Sequence, residues 1–144
     1  MVQENFTAAI AVTKSPGEVF NCIKEVQKWW SKDFEGSCKQ LNDTFTIHHP
    51  GRHYSKQKLV EVIPNQKIVW LVTESTLYWL QLDTHEWTNT KMIFELSTDN
   101  GKTMLHFLHQ GLVPEKECYN LCSKGWGVVI KDWLFNYITT GKEI

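Results

Sequence analysis

Residues 114–140 read PEKECYNLCSKGWGVVIKDWLFNYITT, and this stretch decides the fold. At about 100° of rotation per residue, its apolar side chains share one face of a long helix: Cys118, Cys122, Trp126, Val129, Ile130, Trp133 and Tyr137. Gly125 and Gly127 flank the central tryptophan, although each glycine inside a helix costs about 1 kcal/mol. We therefore expect either a close backbone approach or an open space beside Trp126.

The chain ahead of this helix is predicted to be mostly strand. Residues 4–13 alternate apolar and polar side chains, which is typical of a half-buried strand. Residues 15–18 (SPGE) predict a helix start with a capping box, and that helix ends near residues 29–31. From residue 39 to 112 a period of two recurs, with a hairpin turn at Asn100 and Gly101. Residues 74–87 fit no clear pattern.

This order of elements predicts an α+β fold. A curved antiparallel sheet of about six strands wraps around the long C-terminal helix, and a short helix follows the first strand. No repeat or linker interrupts the chain, so residues 1–144 are expected to form a single domain.

Composition limits the possible functions. The net charge of -1 gives no basic face for nucleic acid or an anionic membrane. No apolar run is long enough for a membrane span, and the N-terminal residues lack the pattern of a signal peptide, so we expect a cytoplasmic protein. The four cysteines have no disulfide spacing or complete metal-ligand set and are predicted to be reduced, mostly core thiols.

Several short motifs together resemble a known family. They are residues 15–20 (SPGEVF), 29–30 (WW), 60–64 (VEVIP), 67–70 (KIVW), 90–96 (TKMIFEL), 109–114 (HQGLVP) and 125–126 (GW). Their order resembles the START-like, or SRPBCC, helix-grip superfamily. Within that superfamily, the chain resembles the branch similar to the C-terminal domain of the activator of the ninety-kilodalton heat-shock protein ATPase. The resemblance implies a cavity between sheet and helix that holds apolar molecules in many relatives, but no particular chemistry.

The candidate ligand-binding residues are mostly aromatic and are expected to face this cavity: Trp30, Phe45, Ile47, Trp70, Val72, Phe94, Phe107, His109, Trp126, Val129 and Trp133. Small-ligand pockets combine such side chains with a few polar groups. The alternative is a plain packed core, because aromatic residues dominate core energetics as well. His109 is either a ligand-orienting group, an acid or base, or a core histidine with satisfied hydrogen bonds.

The segment 48–53 (HHPGRH) holds three histidines. His48 and His49 are consecutive on a strand, so their side chains point to opposite faces and cannot easily share a metal ion. We interpret all three as solvated side chains near a turn and predict no metal site.

Two functions of different classes fit these observations. The leading hypothesis is a non-enzymatic carrier or sensor that binds a small apolar, aromatic or lipid-like molecule. The alternative is an interaction module that contacts a chaperone, as the resemblance implies. The chain has no nucleophile elbow, phosphate-binding glycine loop or zinc-protease motif. We therefore predict no catalytic residues and no cofactor, although a cyclase- or hydrolase-like activity using His109 remains a third hypothesis.

Overall fold

The computed structural model describes residues 4–144, so the first three residues of the predicted domain lie outside it. Seven antiparallel strands form one curved sheet in the order β1-β7-β6-β5-β4-β3-β2. Their bounds are β1 Phe6–Val12, β2 Phe34–Gly36, β3 Thr44–His49, β4 His53–Ile63, β5 Lys67–Leu77, β6 Lys91–Asp99 and β7 Lys102–Gln110. The α+β helix-grip prediction is confirmed. The seventh strand is β2, a three-residue edge strand that is too short to show a period of two.

The hairpin turns follow the local sequence. Asn100 and Gly101 have φ angles of 51° and 79°, as a type I′ turn between two strands requires. Gly51 lies in the β3–β4 turn, also with a positive φ of 77°. Of the ambiguous residues 74–87, the first four continue β5, and the rest belong to a loop of turns that runs to residue 90.

The N-terminal helical region is two helices, α1 (Pro16–Lys24) and α2 (Val26–Trp29). The predicted capping box is present: Glu18 N–H donates to Ser15 Oγ at 3.2 Å, and Ser15 N–H donates to a Glu18 carboxylate oxygen at 3.3 Å. The prediction of one continuous helix was wrong at Glu25, where φ and ψ of -91° and 57° leave the helical region.

The C-terminal helix consists of α3 (Tyr119–Val128), a π-helical segment (Val129–Leu134) and α4 (Phe135–Thr140). It starts five residues later than position 114, where the sequence suggested. The backbone N–H groups of Glu117 and Cys118 donate instead to the Glu86 carboxylate, at 3.0 and 3.1 Å. This contact caps the helix from another part of the chain, since Cys118 makes no side-chain cap of its own.

The space between the sheet and the C-terminal helix is largely filled by aromatic rings. Phe45 packs edge-on against Trp70, with ring centroids 4.9 Å apart. From Trp70 the contacts continue through Phe94 and Phe107 to Trp126, with centroid separations of 4.7, 5.0 and 4.6 Å. Each of these side chains is at most 2% exposed, so this part of the interior is a packed core.

Among residues 4–144, no helix has the length and apolar character needed to cross a membrane.

Candidate functional site

A pocket of about 460 Å³ lies beside the packed aromatic core. The C-terminal helix, the β3–β4 hairpin, the end of β5 and the 78–90 loop enclose it, and it opens to solvent. Its lining residues are Trp30, His49, Arg52, His53, Leu77, Trp79, Trp87, Leu121, Cys122, Gly125, Trp126, Val128, Val129 and Trp133. The site is thus mainly apolar and aromatic, with polar groups concentrated on the hairpin.

The helix wall of the pocket is centred on Gly125. A methyl group placed there, or at Gly127, would find no neighbour within 4 Å outside the helix's own backbone. Of the two expectations for these glycines, the open space is the correct one. Gly125 lines the pocket, whereas Gly127 lies outside its lining.

Indole rings form the floor of the pocket. Trp87 stacks on Trp126 with a centroid separation of 5.8 Å and an interplanar angle of 10°. The Trp30 ring centroid also lies 5.1 Å from that of Trp126, with an interplanar angle of 40°. All three residues are at most 5% exposed, so their rings are held firmly where they border the pocket.

Trp87 is held in place by a reciprocal clamp between the 78–90 loop and the start of the C-terminal helix. The Glu86 carboxylate accepts the N–H groups that precede the helix, and Lys116 Nζ donates to the Glu86 carbonyl at 2.9 Å. In return, the Glu117 carboxylate accepts backbone N–H groups of Gln81 and Leu82 at 2.9–3.1 Å. These bonds fix a loop that has no regular structure of its own.

His109 lies behind this floor and is fully buried. The Trp126 indole N–H donates to His109 Nδ1 at 3.0 Å, so the ring proton belongs on Nε2, which donates to Thr90 Oγ1 at 2.8 Å. The Thr90 hydroxyl in turn donates to the Trp87 carbonyl at 2.6 Å. Burial, aided by the positive charge of Lys116, lowers the pKa of His109 to about 3. His109 is therefore a neutral core histidine with both nitrogens occupied.

The β3–β4 hairpin supplies the polar wall. His49 and His53 are paired across the hairpin, and Arg52 lies between them in the chain. The interpretation of the histidines as solvated holds for His48, whose side chain is 43% exposed. It is wrong for His53, whose ring packs against Trp87 at 4.8 Å and Trp30 at 6.1 Å. Burial lowers the pKa of His53 to about 3.

The structure divides the eleven predicted site residues into two groups. Trp30, Trp126, Val129 and Trp133 line the pocket. The other seven are at most 1% exposed and belong to the interior behind it: Phe45, Ile47, Trp70, Val72, Phe94, Phe107 and His109.

Sequence reasoning missed the hairpin residues, Leu77, and the loop tryptophans Trp79 and Trp87. The sequence carried no clear signal for His53. It is in phase with Ser55, Gln57 and Leu59, which the structure buries fully. However, the apolar residues Val60 and Val62 have the opposite phase, and an irregularity between Leu59 and Glu61 separates the two parts of the strand.

The cysteines are free thiols, as predicted. Cys38 and Cys118 are buried, whereas Cys22 and Cys122 are only partly so. A hydrogen bond with Cys118 and burial together raise the pKa of the Cys122 thiol, which makes it a poor nucleophile at neutral pH. Within the described part of the chain, no three His, Cys, Asp or Glu side chains are grouped so as to hold a metal ion.

The fold and family are also seen in known proteins. A family model described as Activator of Hsp90 ATPase homolog 1-like protein matches residues 15–138. The solution structure of the Aha1 dimer from Colwellia psychrerythraea has a TM-score of 0.77 and 22% identity, over 99% of both chains. A Mesorhizobium loti protein has a TM-score of 0.69 and 14% identity, over 90% of this chain and 94% of its own. No curated protein matches.

A further structural relative is DynU16, a protein of the dynemicin biosynthetic locus, with a TM-score of 0.69 and 12% identity. The match covers 95% of this chain but only 48% of DynU16, so this chain spans about half of that protein. At such identities these structures show the helix-grip fold alone. The family model, in contrast, covers most of the chain and confirms the resemblance found in the sequence. The chain therefore belongs to the family of Activator of Hsp90 ATPase homolog 1-like proteins.

Proposed function

We propose that this protein binds a small apolar molecule with aromatic character and acts as a non-enzymatic carrier or sensor. The observation that carries the proposal is the open pocket of about 460 Å³ with a tryptophan floor. A pocket of this size and lining is typical of small-molecule sites. The absence of a side chain at Gly125 also supports it, because this helix position lines the pocket and leaves its volume open.

The expected affinity is moderate. Burial of apolar ligand surface contributes about 25 cal/mol per Å². At about 0.3 kcal/mol per heavy atom, a ligand of roughly twenty atoms would gain about 6 kcal/mol, which corresponds to a dissociation constant of tens of micromolar. Flat fused rings should bind best, since they can lie parallel to Trp87 and Trp126.

The non-enzymatic part of the proposal rests on the polar groups near the pocket. His109, the acid or base candidate, has no free nitrogen and does not line the pocket. The only lining thiol, Cys122, has a raised pKa. The lining contains no carboxylate, and burial lowers the pKa of both of its histidines, His49 and His53, which disfavours a protonated acid there.

The test is a panel of neutral fused-ring compounds of two to four rings. We expect members of the panel to raise the melting temperature and quench tryptophan fluorescence, with half-saturation at tens of micromolar. Trp126 and Trp133 indole signals should shift in NMR spectra, whereas that of Trp29, which lies outside the lining, should not. A panel that changes neither the melting temperature nor the fluorescence would refute the proposal.

A second candidate function is contact with an Hsp90-type chaperone, in keeping with the family. The observation that favours it is the apolar rim of the pocket, where Leu121, Val128 and Trp133 are 60%, 43% and 37% exposed. Purified Hsp90 should then bind the protein, and Leu121→Ser should weaken that binding. The absence of any complex by light scattering at micromolar concentrations would remove this candidate.

A further inference from the structure

We propose that the pocket selects aromatic ligands that carry a carboxylate, and that Arg52 on the β3–β4 hairpin binds that group. This inference rests on the proposed function, because it names the class of ligand for the same pocket. It starts from the asymmetry of the pocket, in which the floor and helix wall are apolar and the hairpin wall carries the nitrogen-containing side chains.

The two faces of the hairpin differ in charge. His48 and Tyr54 form one cross-strand pair, and His49 and His53 form the next. Both side chains of the first pair contact carboxylates: His48 Nδ1 lies 3.6 Å from the Asp33 carboxylate, and the Tyr54 hydroxyl donates to the Glu74 carboxylate at 2.9 Å. The second pair lines the pocket, where none of the fourteen lining residues is Asp or Glu.

Arg52 is the only lining residue with a permanent positive charge. It is exposed, and within residues 4–144 its guanidinium makes no ion pair or hydrogen bond. Its backbone is nevertheless fixed, since Arg52 N–H donates to the His49 carbonyl at 3.0 Å and its own carbonyl accepts from Tyr78 N–H at 3.0 Å. A cation on an anchored turn at the mouth of an apolar pocket suits a ligand with one charged end.

His53 adds a second polar side chain to the hairpin wall. Its Nε2 is hydrogen-bonded to Ser55 Oγ at 2.7 Å, and Ser55 Oγ is also bonded to Gln57 Nε2. His53 Nδ1 has no hydrogen-bond partner in the described chain. The lining therefore combines one free cation with two imidazoles and no carboxylate.

A carboxylate is the ligand group that matches this lining. It has two acceptor oxygens, fits the guanidinium of arginine in a paired geometry, and brings the negative charge that the lining lacks. A neutral amide or alcohol of the same size would gain nothing from the charge of Arg52. A cationic ligand would face Arg52 with no compensating acid.

The test compares 1-naphthaleneacetate with 1-naphthaleneacetamide, which have nearly the same shape and differ in charge. Dissociation constants are measured by tryptophan fluorescence and calorimetry at pH 7.5 and low salt. We expect the carboxylate to bind about fivefold more tightly than the amide, and this preference to weaken as salt is added. In Arg52→Gln the carboxylate should lose about fivefold in affinity while the amide is unaffected.

His48→Gln is the matched control, because His48 is on the same hairpin but belongs to the pair that faces acids. It should leave both affinities unchanged. Equal affinity for the two ligands in the wild type, or a carboxylate preference that survives in Arg52→Gln, would overturn this inference while leaving the proposed function intact. Failure of both ligands to bind, together with the neutral panel, would overturn both proposals.

Discussion

Gly125 and Gly127 offer the sharpest test of the pocket, because they share one helix and only Gly125 lines the pocket. Both are in α3, and both leave room for a side chain. Replacing either by alanine should stabilise the protein by about 0.8–1 kcal/mol, the difference in helix propensity between the two residues. For a chain of this length, that gain corresponds to a rise in melting temperature of about 3–4 °C.

Larger side chains should separate the two positions. Gly125 lines the pocket and Gly127 does not, so Gly125→Leu should fill part of the binding volume while Gly127→Leu leaves it open. We expect Gly125→Leu to melt above the wild type and to lose the fluorescence response to a fused-ring ligand. Gly127→Leu should be stabilised as well but bind normally, which makes it the matched control.

The measurements are thermal unfolding followed by circular dichroism, and titration of each variant with the same ligand. Two results would refute the reasoning. A destabilised Gly125→Ala would mean that a β-carbon at this position does meet other atoms. Full ligand affinity in a well-folded Gly125→Leu would place the binding site somewhere other than beside this glycine.

Two further predictions concern the groups that hold the pocket floor. Because the pKa of His109 is lowered to about 3 from an ordinary value near 6.5, the unfolded chain takes up this proton first, so stability is full above about pH 6.5 and falls as the pH drops towards 3. Between pH 7.5 and 5, the free energy of unfolding measured in urea should fall by about 2 kcal/mol more in the wild type than in His109→Gln. Equal decreases would contradict the assignment of His109 as a neutral buried histidine. Glu86→Ala removes the acceptor of the N–H groups of Glu117 and Cys118. It should lower the free energy of unfolding by about 1 kcal/mol, measured in urea, and weaken ligand binding, measured by titration. Glu115→Ala, an exposed neighbour, should change neither, and an equal effect of both variants would show that the clamp does not stabilise the loop.

The sheet and its core could be predicted because their signals are local and repeated. Phe45 and Ile47, or Leu105 and Phe107, alternate with less buried residues over several positions, and the sheet buries one face of each strand. The Asn100-Gly101 pair, which favours a tight hairpin turn, located the end of β6 and the start of β7. Neither signal needs information from a distant part of the chain.

The pocket could be predicted only in part because its loop wall depends on long-range contacts. Trp87 reaches the floor through the bonds between Glu86 and the backbone of residues 117 and 118, some thirty positions along the chain. No periodicity marks such a loop, and irregular segments are shaped by what they touch. Sequence reasoning also could not divide a broad set of aromatic residues into those that fill the interior and those that border an empty volume.

The π-helical segment explains how one helix can serve both the core and the pocket. The side chains of Trp126, Ile130, Leu134 and Ile138 are buried at intervals of four residues. In a regular α-helix each such step overshoots a full turn by about 40°, so the buried face would drift around the axis. The wider turns of residues 129–134 rotate less per residue and bring Leu134 back over Ile130.

The same change moves Trp133. In a regular helix, seven positions after Trp126, it would share the buried face, as the sequence predicted. The reduced rotation places Trp133 roughly a quarter turn behind Trp126 around the helix axis, nearly in line with Gly125. There Trp133 is 37% exposed and borders the pocket. Gly125 opens a space on the helix surface, and the π-helical segment brings the Trp133 side chain to the same pocket. Two local departures from an ideal helix thus act on the same pocket, which favours a binding role over an accident of packing.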